Sequence, residues 1–462
     1  MRVPALVILA CLPVQAQAGT LWQAWQAAQA NDPAFTAARA QLTAAATSQP
    51  AALAALLPHF TVAASAGPQK QYFTQPELQG DGFAPLTENE GLGASAWSAT
   101  LTQTLFNWSN IKTLQAQNNI VSAAAATYQA NLENLAVTVT ADYVAVMAAS
   151  ADLAALRAAQ AGFAAQYHNA EARYRAGMDG VIGADEAGAA YQSIQVQVLQ
   201  AQAKLVAARN TLAAITGDDT LAPEGSLPDR LALPPAGSID DWLARAETGN
   251  PTLAANILTA AADDKLVSAA RGGYLPNVSL QLQHQNTAQG GSAAFALEGQ
   301  TYHGSGNMLQ VTNSVTVQMN WNVFDGGATH AAADQAAATR DEAVANAASA
   351  RLDVIKTIRT NFTSLDLDRI RLETARGAVQ IAAQAVNSAS AGVRAGLISE
   401  SDLISDRQLL LSAQLALDTA FADVITDETG LAQAAGSATP AFVKALSNAL
   451  AVTETQRRTN HD

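Results

Sequence analysis

Few residues in this chain are spaced to make or break bonds. Its six histidines, His59, His168, His284, His303, His330 and His461, share no spacing that would converge ring nitrogens on one metal ion. The single cysteine, Cys11, lies in the apolar N-terminal stretch, so the body of the chain offers no disulfide and no thiolate nucleophile. Gly91-Leu92-Gly93-Ala94-Ser95-Ala96 mimics a dinucleotide-binding loop. It follows an acidic segment and precedes an alternating, strand-like run, whereas the phosphate-binding loop must open a helix. Asp218-Asp219 and Asp263-Asp264 read as solvated carboxylates. No catalytic, cofactor-binding or metal-ligating set is assigned, and the chain does not read as an enzyme. With 25 basic residues against 39 acidic and a formal charge of −14, it has no basic surface for a phosphate backbone, so nucleic acid is excluded as a partner.

The elements around these residues say more. Arg2, the apolar run Val3 to Pro13 and the small-x-small triplet Ala16-Gln17-Ala18 form an export signal over 1–18, with the mature chain expected to begin at Gly19. A lipobox at Ile8-Leu9-Ala10-Cys11, with lipid on Cys11, is the alternative. Beyond it, no uninterrupted run of 18 apolar residues occurs, so no spanning α-helix is expected. Alanine abounds and aromatics make up 5% of the chain, a composition suited to long helices in close contact.

Laid on itself at an offset of 218, the sequence superposes its landmarks. Asn31-Asp32-Pro33 meets Gly249-Asn250-Pro251, Leu57-Pro58 meets Leu275-Pro276, and Leu105-Phe106-Asn107 meets Val323-Phe324-Asp325. One inserted residue later, Arg175-Ala176-Gly177 meets Arg394-Ala395-Gly396, and Gly217 meets Gly436. Landmarks in this order divide the mature chain into a first repeat, 19–217, a Pro-rich linker, 218–248, a second repeat, 249–436, and an extension, 437–462, expected to be flexible.

In each repeat a helix capped by Asp32 or Asn250 runs to Pro58 or Pro276, and an extended segment follows. Pro50 introduces a kink expected in the first copy only. Long helices are then predicted over Ser109–Arg175 and Gly327–Arg394, with return helices over Ala184–Thr216 and Leu403–Ala435. Ile358, Leu365, Leu372, Val379, Val386 and Val393 recur every seven residues, and Val139, Val146, Leu153, Gln160, Tyr167 and Tyr174 stand in register with them. That is a coiled-coil seam, on a helix of roughly 100 Å at ~1.5 Å per residue. One long helix flanked by two shorter ones would make a rod.

Leu309–Phe324 alternates. Val311, Val315, Val317, Met319, Trp321 and Val323 share one face; Thr312, Ser314, Thr316, Gln318, Asn320 and Asn322 share the other, with Asn313 the exception. Runs near Trp97–Leu105, Val278–Gln283 and Phe60–Ala66 repeat the pattern, each about as long as a tilted transmembrane strand. Their wet faces are Ser, Thr, Asn and Gln with scarcely a charge, which suits a lumen. Pro68–Gly93 and Gln285–Met308 read as long loops. Four strands cannot close a barrel, and an open edge in lipid leaves backbone groups unsatisfied, so several chains must contribute.

The duplicated halves, the Leu-Pro junctions at Pro58 and Pro276, the Leu/Val-Phe-Asn/Asp strand ends and the Arg-Ala-Gly turns together resemble the TolC family of outer-membrane export channels. The resemblance implies a fold that is mainly α with a transmembrane β-barrel. Long antiparallel coiled-coil helices form an α-barrel tunnel, and each chain gives four strands to a shared 12-stranded trimeric barrel. It implies a homotrimer in outer-membrane lipid with a large periplasmic portion. The channel would export proteins or small molecules with a periplasmic adaptor and an inner-membrane ABC or proton-driven transporter, and no cofactor. Such channels carry an acid six residues after the turn glycine at the periplasmic mouth. Asp402 stands six after Gly396 and is the candidate gate. Gly183 occupies that place after Gly177, with Asp185 two residues on, and a second mouth acid is replaced by Ser405. Gly177 and Gly396 would mark the periplasmic tips. The alternative is a periplasmic coiled-coil rod or adaptor, which would account for the heptads but not for the alternating strands.

Overall fold

The computed structural model describes residues 19–79, 82–178, 180–219, 221, 223, 237–297, 300–395 and 397–459. The expected export signal, residues 220, 222 and 224–236 of the Pro-rich linker, and Gly396 lie outside the described residues. The first series of elements is α1 (Leu21–Asn31), α2 (Pro33–Ala54), β1 (His59–Gln79), β2 (Gly82–Phe106), α3 (Trp108–Arg175) and α4 (Val181–Thr216). The second is α5 (Ile239–Gly249), α6 (Pro251–Arg271), β3 (Asn277–Leu297), β4 (Gln300–Asn320), α7 (Ala328–Arg394) and α8 (Glu400–Ala434), followed by α9 (Pro440–Thr459).

The helix starts obey the capping logic. Asp32 Oδ1 accepts from the Ala34 N–H at 2.9 Å and Asn250 Oδ1 from the Leu253 N–H at 2.8 Å, each beside a proline that has no N–H to satisfy. Pro50 lies inside α2. That helix stops at Ala54, short of Pro58, because the residue before a proline disfavours α geometry; bonds from Leu56 N to Leu53 O and Leu57 N to Ala54 O tighten the end. In the second series a 3₁₀ turn, Gly272–Tyr274, does the same before Pro276.

Two helices go beyond the sequence reading. Each of α1 and α5 opens with a capping box, Thr20 with Gln23 and Ser238 with Asp241, and α5 occupies part of the stretch read as linker. The C-terminal extension is also ordered: Val443, Leu446 and Leu450 of α9 are buried, and Ser447 Oγ accepts from the Trp22 N–H at 3.1 Å. The expectation of a flexible tail is corrected as far as Leu450, because apolar residues at 443, 446 and 450 share one helix face and find a core to join.

The chain forms two compact units. The helical unit comprises the described residues of Met1–Thr43, Ala123–Asn256 and Asn346–Asp462. Its core includes the predicted seam, with Val139, Val146, Leu153, Ile358, Leu365 and Leu372 all buried. Further along, Val379, Val386 and Val393 are half-buried and Tyr174 is exposed, so the seam loosens towards the ends of α3 and α7. By mean hydropathy α3 and α8 each contain an 18-residue window apolar enough to cross a bilayer by length and composition, although no run of 18 apolar residues is uninterrupted. Alanine raises the average while polar residues interrupt the runs, and half of the α3 window is buried in protein.

Two helix ends in this unit are tied in the same way. Asn31 Nδ2 donates to Thr216 O at 2.6 Å, at the end of α4, and Asn250 Nδ2 donates to Ala434 O at 2.9 Å, at the end of α8. Each amide satisfies a carbonyl that a helix end leaves free. Gly217 and Gly436 follow in the left-handed region, at φ 70° and 68°.

The second unit, Ala44–Ser122 and Ile257–Ala345, holds an antiparallel sheet in the order β1-β2-β3-β4. Its hairpins are longer than the ten-residue strands read from the sequence. Pairing continues from Pro68↔Gly93 to Gln79↔Gly82 and from Gln285↔Thr312 to Leu297↔Gln300. The segments read as loops are ladder, because glycine and small polar residues weaken an alternating pattern without breaking backbone pairing.

Candidate channel wall and entrance

The sheet is a candidate channel wall. Across its strands, Phe60, Leu101, Leu282 and Val315 are paired neighbours in one row, and Thr61, Thr100, Gln283 and Ser314 form the next. Over these rows the sheet therefore presents opposite faces, one apolar and one uncharged polar, whereas Lys70, Glu77, Glu88 and Glu90 stand further along β1 and β2. Asn313 breaks the apolar face, and the structure shows why it is tolerated: its Oδ1 lies 2.6 Å from His284 Nδ1, on the facing strand. His284 also packs on Trp97, ring centroids 4.8 Å apart. Trp321, predicted on the apolar face of the strand, lies just past its end, where Nε1 donates to Tyr274 O at 3.1 Å. Near the other end of β2 the register shifts between Thr104 and Phe106, a bulge that brings Phe106 opposite Val278.

Polar side chains fasten the base of this sheet. Gln103 Nε2 donates to Leu56 O at 2.8 Å, and Thr104 Oγ1 and Asn110 Nδ2 both donate to Ala55 O, covering carbonyls at the end of α2. The Phe-Asn and Phe-Asp motifs acquire a role here. Asn107 Oδ1 accepts from the Asn110 N–H at 3.0 Å, and Asp325 Oδ2 accepts from the Thr329 N–H at 2.8 Å, so each opens a long helix. Of the junction prolines, Pro58 is exposed and Pro276 half-buried.

In the helical unit the α3–α4 turn is closed by bonds from Gly177 N to Tyr174 O and Met178 N to Arg173 O, both 2.9 Å. Gly177 has φ 68° and open space where a Cβ would stand, so backbone conformation alone demands glycine. The α7–α8 turn closes similarly, Leu397 N to Gly392 O at 2.9 Å. Asp402 is the third residue of α8 and completes a capping box: its Oδ2 accepts from Ser399 N at 3.1 Å and Ser399 Oγ at 2.7 Å, and its own N–H reaches Ser399 Oγ at 3.2 Å. These bonds, the serine hydroxyl first, hold its carboxyl below the usual carboxylate range, and the residue is exposed and ionised. In the first repeat Gly183 brings no carboxylate to the equivalent place, and Asp185 is exposed.

Two features of this end escaped the sequence reading. Glu400 ties the repeats together: Gln166 Nε2 on α3 donates to its carbonyl and its carboxylate, both at 3.0 Å, and the Arg173 guanidinium lies 3.9 Å away. The turns also expose apolar side chains, among them Met178, Ile182 at 70% and Leu397 at 80%. Both were visible as letters, but nothing in the local pattern says that Glu400 reaches another helix.

Comparison with known proteins settles the family. The outer membrane efflux protein family matches residues 24–218 and again 242–437. The chain belongs to that family. Two successive matches cover most of it and fall on the two halves of the element order. Outer membrane protein TolC of Escherichia coli (strain K12) is 23% identical over 364 residues, 78% of this chain and 73% of that protein. The cobalt-zinc-cadmium resistance protein CzcC of Cupriavidus metallidurans is 33% identical over 137 residues, 30% of this chain and 33% of that protein. Among solved structures, the Campylobacter jejuni CmeC outer membrane channel superposes with TM-score 0.71 at 18% identity, covering 93% of this chain and 89% of its own. Vibrio cholerae VceC does so with TM-score 0.69 at 20% identity, covering 90% and 96%. The fold is therefore that of the channel-tunnels, a β-barrel joined to an α-barrel of long antiparallel helices. As an outer membrane efflux protein, the chain is an outer-membrane export channel with a large periplasmic portion, and a passive conduit, not an enzyme.

Proposed function

We propose that three copies of this chain assemble into a duct whose twelve strands close one barrel. Proteins or small molecules would pass through it, delivered by a periplasmic adaptor and an inner-membrane ABC or proton-driven transporter. The observation that carries this reading is the sheet: among the described residues it has four strands, an outer edge without a partner strand on β1 and on β4, and, around the row Phe60, Leu101, Leu282 and Val315, an apolar face backed by an uncharged polar one. Lipid tolerates no open edge, so β1 of one copy pairs with β4 of the next, the apolar rows meet lipid and the polar rows line the lumen. The exposed apolar residues on the α3–α4 and α7–α8 turns support docking of an adaptor at that end. Asp402, ionised near the α7–α8 turn, supplies one carboxylate per copy to the entrance, which then favours cations. Planar-bilayer recording of the mature protein tests the reading: stable, cation-preferring single channels are expected, and a membrane left sealed by correctly assembled protein would refute it.

A further inference from the structure

The helical unit contains a cavity of about 300 Å³ bordered by α3, α6, α7 and α8. Its charged lining residues are Glu133 of α3 and Asp353 of α7; α6 and α8 contribute no charge to it, and none of the described lining residues is basic. Glu133 is only 2% exposed, and its Oε2 has no hydrogen-bond partner. Burial pushes this carboxyl up to about 7, against a hydrogen bond with the Gln129 side chain that lowers it. Two other polar side chains in the wall are already engaged. Asn250 Nδ2 donates to Ala434 O, its Oδ1 accepts from the Leu253 N–H, and Gln433 Nε2 donates to Asn134 Oδ1. Asp353 is exposed and stands at the open side.

A buried acceptor with no donor is costly unless something supplies one. Anions are excluded by the two carboxylates, and Asn250 already covers the Leu253 and Ala254 N–H groups at the start of α6. A metal ion is a poor fit: the described residues contain no group of three His, Cys, Asp or Glu able to hold one. The volume lies at the small end of the range for organic-ligand sites and far exceeds that of a bare ion. We propose that this pocket binds an organic cation, seating an ammonium or guanidinium group against Glu133 with Asp353 at the mouth. The cation is either a small amine in solution or a basic side chain of an adjacent copy; the donor chemistry is the same.

Calorimetric titration of the full mature protein in detergent with agmatine tests this, on wild type, Glu133→Gln and Asp353→Asn. A free-amine site gives one agmatine per chain at pH 8, at least tenfold weaker in Glu133→Gln and more modestly weakened in Asp353→Asn. Wild-type affinity falls between pH 8 and pH 6 as Glu133 takes up its proton, while Glu133→Gln stays flat. If a neighbour's side chain already fills the pocket, agmatine gives no heat but Glu133→Gln lowers the melting temperature of the assembly. Absence of agmatine binding together with a Glu133→Gln protein that melts at or above wild type would overturn the proposal, since that is the behaviour of an empty pocket relieved of an unpaired charge.

Discussion

Arginine at Val315 and arginine at Thr316 should have opposite consequences, although the two residues are neighbours on β4. From Leu309 to Met319 the apolar alternation covers about ten steps, roughly 33 Å at ~3.3 Å each, and a tilt of about 40° reduces this to about 25 Å, the height of the apolar band of an outer-membrane barrel. Val315 falls near the middle of that stretch, is 74% exposed on the chain, and shares its row with Phe60, Leu101 and Leu282. An arginine there sits close to midplane and costs about 2–4 kcal/mol per chain, so about 6–12 kcal/mol across three copies. Thr316 pairs with Gln281, which pairs in turn with Thr102, on the polar face; an arginine there meets lumen water and changes conductance and ion preference instead. The assay is urea unfolding of protein inserted in phospholipid vesicles, alongside bilayer conductance for each variant. Equal loss of stability at both positions, or a harmless Val315→Arg, would refute the assignment of faces.

Three further outcomes are expected. Asp402→Asn removes the entrance charge and should weaken cation preference, whereas Ser399→Ala removes the capping hydroxyl at a cost of about 1 kcal/mol and should leave selectivity intact; matching bilayer records from the two variants would make Asp402 a cap alone. Asp418, pushed up to about 7 by burial, then by Asp152, against Lys204, has a folded value above its ordinary 3.8. Its stabilising effect is therefore complete below about pH 4 and lost as pH rises through 7; Asp418→Asn should flatten that dependence and add about 1–2 kcal/mol at pH 8, after allowing for its partial exposure, in thermal melts from pH 4 to 8. Leu365→Ala, at a seam position with 0% exposure, should cost about 2–5 kcal/mol by chemical denaturation, and Val379→Ala, half-buried on the same seam, clearly less.

Much of the fold was legible because it rests on periodicity. Heptads at Ile358, Leu365 and Leu372 specify a buried seam, period-two alternation at Val315, Val317 and Met319 specifies a two-faced strand, and prolines at 33 and 251 mark helix starts. What escaped is non-local or masked by composition. Glycine and polar residues hid the continuation of both hairpins, since register is a property of two segments together. The short helices α1 and α5 were signalled only by Thr20-x-x-Gln23 and Ser238-x-x-Asp241, patterns that acquire meaning once a helix follows. At the entrance, Asp402 could be singled out by its distance from Gly396. The bond between Glu400 and Gln166 could not, because 234 residues separate the partners and no local pattern encodes their meeting.

The central claim is that one chain supplies a third of a barrel, and the mass of the assembled particle tests it most directly. Sedimentation of the protein in detergent, corrected for bound detergent, should give about three chain masses, the full sequence being 47.7 kDa, with the β-sheet signal intact. A stable single-chain particle that keeps its β-sheet signal would contradict the account, because β1 and β4 would then tolerate open edges and no shared barrel would be needed.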